Sequence, residues 1–171
     1  MGPHLLTVRG QPSSYDGLIS IDCGLSSNTT YTDSITNIPY VSDDQFVNTG
    51  VKANISSDYI TSSLTTQLST LRSFPDGFRN CYLLNVTQDY NLWRIVSITG
   101  PNEVWRPEAI FVASADTVSV YLIKTGTAIP FISALELRPL GRNLYPFANE
   151  TQTVALRYGK NLMPTTNRNI R

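Results

Sequence analysis

Between Arg79 and Arg138 the chain repeats one pattern: a short run of β-branched, aromatic and aliphatic residues, then a break built from Gly, Pro, Asn or Asp. The runs are Arg79–Val86, Leu92–Ile98, Val104–Val112, Thr117–Ile123 and Phe131–Arg138, with Gly100-Pro101-Asn102 and Ser114–Asp116 among the breaks. Such runs fit a pleated, half-buried surface. Many of them at this spacing imply an antiparallel sandwich or jelly roll. The stretch Tyr121–Pro139, YLIKTGTAIPFISALELRP, reads as two strands joined by a turn that Gly126 and Pro130 punctuate. In its second strand Phe131, Ser133, Leu135 and Leu137 share one face, the inward one, and Glu136 and Arg138 the other. Trp93 and Trp105 fall on expected strands and are assigned to core or half-buried packing.

Upstream, Leu18–Asp22 reads as an opening strand that ends in Cys23-Gly24 and a polar loop over 26–37. Tyr40–Val41 and Gln45–Val47 suit short edge segments around the acidic pair Asp43 and Asp44. Ile60, Leu64, Leu68 and Leu71 have helical spacing diluted by Thr and Ser, so 59–72 reads as a short helix or an irregular turn. Pro75-Asp76-Gly77 is a turn, because Pro presets φ and Gly tolerates a positive one. The expected organisation is a disordered leader over 1–16, one all-β domain over 17–148 and a linker or tail over 149–171.

The 171 residues suffice for one domain with a core, and 41% apolar against 15% charged residues suits a β-rich globular chain. Lys/Arg and Asp/Glu balance at 13 each, so the basic footprint of a nucleic-acid binder is missing. No apolar run approaches the ~20 residues of a membrane-spanning helix. Met1–Gly17 lacks the apolar centre and cleavage site of a signal peptide, and Leu6 stands where a myristoylation signal needs Ser or Thr.

Several phrases resemble, in one order, the malectin-like ectodomain of plant receptor-like kinases, chiefly those with leucine-rich repeats. They are ISIDCG (Ile19–Gly24), YTDSITNIPYVSDDQFVNTG (Tyr31–Gly50), LRSFPDGFRNCY (Leu71–Tyr82), NLW (Asn91–Trp93) and FISALELRPL (Phe131–Leu140). The resemblance covers most of 18–158 and implies an all-β, malectin-like jelly-roll sandwich of the galactose-binding type, the first half of a tandem module. It departs from the family between Gln88 and Asn91, where about thirty residues are missing, enough for two or three strands of typical length. The form is therefore read as incomplete and less stable than a full module, because unpaired strand edges favour aggregation. The implied setting is the plasma membrane, facing outside the cell.

Catalysis has little to stand on. The one histidine, His4, lies in the leader, and no nucleophile–base, metal-binding or phosphate-binding motif is present. Asp43, Asp44, Asp58 or Asp76 with Glu103 have no spacing that specifies a glycosidase pair. No cofactor or metal is expected. Sugar sites on β-sandwiches combine aromatic faces with polar side chains that grip hydroxyls, and Tyr31, Asp33, Tyr40, Asp43 and Asp44 cluster in the first polar loop region as candidates. The same tyrosines also suit packing on the sandwich edge with their hydroxyls wet. Cys23 and Cys81 suit either one disulfide or two reduced buried thiols. Asn28, Asn54, Asn85 and Asn149 head N-x-[ST] sequons, candidates for glycosylation. The resemblance implies a cell-wall glycan, or a secreted peptide with a co-receptor ectodomain, as partner. The chain is read as a non-catalytic recognition module with neither nucleic-acid binding nor membrane insertion, the alternative being a truncated product or a soluble decoy without a ligand of its own.

Overall fold

Residues 18–62, 64–84, 95–100, 102–112, 117–140, 144–149 and 154–156 are described by the structure, a computed structural model. The leader, Asn85, the Gln88–Asn91 junction, Trp93 and most of the tail lie outside them. The chain divides into two compact units, one of Met1–Tyr82 with Val120–Gly141 and one of Leu83–Ser119 with Arg142–Arg171.

The first unit is built around β1 (Ile19–Asp22), whose four residues are all buried. Aliphatic Ile19 and Ile21 alternate with polar Ser20 and Asp22, so the strand has one apolar and one polar face, both covered. β1 lies between β10 (Ala134–Leu137), antiparallel to it, and β3 (Pro39–Ser42), parallel to it; β2 (Thr30–Thr32) adds to β3. A second sheet runs in the order β4 (Val51–Asn54), β5 (Thr70–Ser73), β9 (Phe131–Ile132). β6 (Arg79–Leu84) pairs with β8 (Val118–Ile123). The fold is all-β, in agreement with the sequence reading.

Gly24 shows why the turn after β1 needs its residue. Its φ is +99°, and a Cβ there would lie 2.2 Å from the Leu71 carbonyl oxygen, so the backbone passes directly against β5.

Several details depart from expectation. The strands of Tyr121–Pro139 do not pair with each other: β8 joins β6, while β9 and β10 join β5 and β1. The chain bends at Ser133, whose carbonyl accepts from Cys23 N–H at 2.8 Å, and so passes from one sheet to the next as sandwich corners do. That bend also breaks the alternation that placed Phe131 inward, and Phe131 is 47% exposed while Leu135 and Leu137 are half-buried. Gln45–Val47 is not a strand, because a 3-10 turn over Asp43–Gln45 is closed by Phe46 N–H on the Asp43 carbonyl at 2.9 Å. In 59–72, two 3-10 turns (Ser57–Tyr59 and Thr66–Leu68) precede β5. Ser56 accepts from Asp58 N–H, the local competition that keeps Ser-rich segments out of longer helices.

In the second unit β7 (Glu108–Ile110) pairs antiparallel with β11 (Val154–Leu156), Ile110 opposite Val154. β7 is shorter than the expected Val104–Val112 run: Pro107 has no N–H to give a ladder. Thr99 N–H and hydroxyl both donate to the Glu103 carboxylate at 2.7 Å, which fixes the Gly100 turn. Trp105, on no strand, is 44% exposed rather than packed in a core.

Candidate functional site

Tyr31, Asp33, Tyr40, Asp43 and Asp44 do come together in the first unit, but mostly inside it. Tyr31 and Tyr40 are register partners on β2 and β3, and their rings stack with centroids 5.5 Å apart. Tyr40 is fully buried, donates to Glu136 Oε1 at 2.5 Å and accepts from Gln67 Nε2 at 3.1 Å. Glu136 is held in turn by Arg138 on the same strand face. Tyr31 is half-buried and donates to Asp22 Oδ2 at 2.9 Å, while Thr70 donates to Asp22 Oδ1 at 2.5 Å. Burial raises the Asp22 carboxyl above its ordinary range, against the pull of those two donors, and it raises both tyrosine hydroxyls as well.

Asp33 holds a turn. Its carboxylate accepts from Thr36 N–H at 2.9 Å and from the Thr36 hydroxyl at 2.5 Å, the Asx arrangement that lets Asn37 take a φ of 56° before β3.

Asp43 is fully buried and accepts a two-pronged pair from Arg72, Nε to Oδ2 at 2.6 Å and Nη2 to Oδ1 at 2.7 Å. Tyr82 Oη adds a third bond to Oδ2 at 3.0 Å, and Arg72 Nη1 reaches the Thr49 carbonyl at 3.0 Å. This fork ties the segment after β3 to β5 and β6, and it leaves the Asp43 carboxylate no open side. Asp44, at the edge of the network, accepts from Arg72 Nη2 at 2.9 Å and pairs with Lys52 Nζ at 2.6 Å. The Lys52 bond, ahead of one from Ser27, holds the Asp44 carboxyl down to about 2. Of the five residues, Tyr31 and Asp44 keep access to solvent; the other three brace the fold.

Cys23 and Cys81 are free thiols. On β6 Asn80 and Tyr82 are buried while Cys81 between them is half-buried, so Cys81 points to the opposite side of the strand from Tyr82. Cys23 is fully buried, and that burial pushes its thiol up. Asn28, Asn54 and Asn149 are exposed; Asn85 lies outside the described residues.

A cleft of about 490 Å³ opens where Thr49–Val51 faces the Pro75–Gly77 turn and the start of β6. Asp76, Arg79 and Asn80 line it. Asn80 is buried and fixed, accepting from Thr49 Oγ1 at 3.1 Å and donating to the Asp76 carbonyl at 3.3 Å. Arg79 lies over the Tyr121 ring, 4.6 Å from its centroid. Phe78, between two lining residues, is 71% exposed. In the sequence these residues read only as a turn followed by a strand. The one sequence signal near them is the aromatic Phe78 directly after Pro-Asp-Gly.

The profile of the Malectin-like domain family matches the chain over residues 21–91 and again over 87–171. The chain belongs to the malectin-like domain family. Its relatives in Arabidopsis thaliana include the LRR receptor-like serine/threonine-protein kinase IOS1, 39% identical over 156 residues, and a receptor-like protein kinase 35% identical over 184 residues. Those alignments take in 75% and 91% of this chain but only 17% and 20% of the relatives, so this malectin-like chain spans about a fifth of their length. No solved structure matches it. Among the described residues no helix is long and apolar enough to cross a membrane.

The alignments to the relatives are longer than the part of this malectin-like chain that they cover. The IOS1 alignment, 156 residues long, covers 75% of the 171 residues here, about 128, so about 28 positions are filled by the relative alone. The 184-residue alignment covers 91%, about 156, and leaves about 28 again. The two matched segments of the family profile meet at 87–91, where the sequence reading places the gap.

Proposed function

We propose that this chain is an extracellular, non-catalytic recognition module of the plant receptor-like kinase lineage, and that it binds a saccharide of a cell-wall glycan in the cleft beneath the Pro75–Gly77 turn. The observation that carries this reading is the cleft that Asp76, Arg79 and Asn80 line, with the exposed Phe78 next to its lining in the chain but not part of it. An aromatic face covers the C–H surface of a sugar ring, and a carboxylate and a guanidinium grip vicinal hydroxyls with paired bonds. The cleft volume, about 490 Å³, lies in the range that holds small ligands. The extracellular setting is supported by the receptor kinases to which the chain is related and by the exposure of Asn28, Asn54 and Asn149.

Tyr31 and Asp44 form the accessible rim of the braced cluster and serve as a secondary contact, whereas Tyr40, Asp33 and Asp43 hold the loops in place. The test is a panel of plant cell-wall oligosaccharides titrated into the chain, with Phe78→Ala and Asp76→Ala alongside. Saturable binding that both substitutions abolish with the fold intact supports the proposal. Binding only to a peptide or co-receptor ectodomain, undisturbed by sugars, overturns it in favour of protein recognition.

A further inference from the structure

The two main sheets of the first unit have four outer strands, and these are not equally guarded. β9 is two residues long, too short to template a partner. β10 carries Glu136, and Arg138 follows directly after it, charges that discourage pairing. β2 and β4 have no such protection. β2 reads Thr-Tyr-Thr, without charge or proline. On β4 the one charge, Lys52, is drawn off to Asp44 and to the Leu25 carbonyl at 2.7 Å.

The backbone parity of these strands shows where they are open. Ile55 N–H donates to the Ser69 carbonyl at 3.0 Å, so by antiparallel alternation the backbone groups of Lys52 and Asn54 face away from β5. Ser42 N–H donates to the Thr29 carbonyl at 3.1 Å and Asp33 N–H to the Ile38 carbonyl at 2.9 Å, so Thr30 and Thr32 face away from β3. Each of these strands has an exposed sequon asparagine at or near one end. Asn54 is the last residue of β4, and Asn28 stands in the exposed turn two residues before β2, with Thr30 as its sequon threonine.

We infer that N-glycans at Asn28 and Asn54 cap the open edges of β2 and β4 and keep the chain from pairing edge to edge with another copy. The inference rests on the extracellular part of the proposed function but not on any ligand. In the modification, Nδ2 of each asparagine forms a bond to the anomeric carbon of an oligosaccharide carried on a lipid diphosphate. The carbon–oxygen bond to the diphosphate breaks, the lipid diphosphate leaves, and the amide loses one proton. A branched, hydrated glycan rooted at the end of an edge strand is bulky enough to hinder the approach of a docking strand.

The experiment directs the 171-residue chain through a plant secretory pathway with a cleavable signal, then measures site occupancy by glycopeptide mass and assembly by sedimentation. Asn28 and Asn54 are expected to be occupied and the chain monomeric. After enzymatic deglycosylation of the folded protein, or in Asn28→Gln/Asn54→Gln, the apparent mass is expected to rise with concentration toward that of a dimer or larger. Asn85→Gln/Asn149→Gln is expected to stay monomeric. Empty sites at both positions, a deglycosylated chain that stays monomeric, or equal association in the Asn85/Asn149 pair would each overturn the inference. A chain that is glycosylated and monomeric but binds no saccharide overturns the proposed function alone.

Discussion

Replacing Asp43 with asparagine keeps the shape of the side chain and removes the charge that Arg72 is built around. Arg72 has only 7% of its side chain exposed, so it cannot turn to water for compensation. Breaking a buried pair by neutralising one partner costs about 3–5 kcal/mol. Here Asp44 keeps one bond to Nη2 and is 35% exposed, which softens the loss and points to the lower end, about 3 kcal/mol. For a chain of this size each kcal/mol moves the midpoint by about 2–4 °C, so Tm should fall by roughly 6–12 °C. Thermal and urea unfolding of Asp43→Asn measure this. Lys52→Met serves as the control, because its pair with Asp44 is partly exposed and should be worth less than about 1 kcal/mol. Asp43→Asn/Arg72→Met, which removes both charges, should recover part of the loss. A change below about 1 kcal/mol in Asp43→Asn would refute the reasoning, since the network would then behave as a surface pair.

Gly24→Ala puts a Cβ against backbone that cannot yield, at a φ that L-residues rarely take, and should cost at least about 2 kcal/mol in urea unfolding; a neutral result would mean the turn relaxes freely. The Asp44 carboxyl, held near 2 in the fold, contributes stability that is present above its ordinary value and lost as pH falls through the lowered one. Its carboxyl carbon should titrate by NMR with a midpoint near pH 2, moving up in Lys52→Met, and an unmoved midpoint would contradict the assigned cause. If about thirty residues are indeed missing between Gln88 and Asn91, inserting a family segment of that length there should raise the thermal midpoint by adding strands to the core; equal midpoints would sink that expectation.

Part of the strand pattern was legible from composition, because clustered β-branched and aromatic residues suit a half-buried pleated surface, but residues 95–98 of one expected strand form none and β5 lies partly in 59–72, read as a short helix or irregular turn. β1, β6, β8 and β10 all fall where the sequence implies strands. Pairing was not legible. Nothing local to Tyr121–Pro139 says that β8 and β10 join different sheets, because the bend at Ser133 depends on a bond from Cys23, more than a hundred residues upstream. The same limit applies to the acidic cluster. Asp43 looked available to a ligand because its partner Arg72 lies 29 positions away, and Tyr40 because Glu136 lies 96 away. Charge and aromaticity were visible in the sequence, and the partners that bury them were not.

Recognition of a saccharide at the Phe78 cleft is tested most directly by residue-resolved NMR of the labelled chain during titration with cell-wall oligosaccharides. The account predicts saturable shifts at Thr49, Gly77, Phe78 and Arg79, with Tyr40 and Asp43 unmoved. Saturable shifts confined to other surfaces, or none with any oligosaccharide, would contradict it.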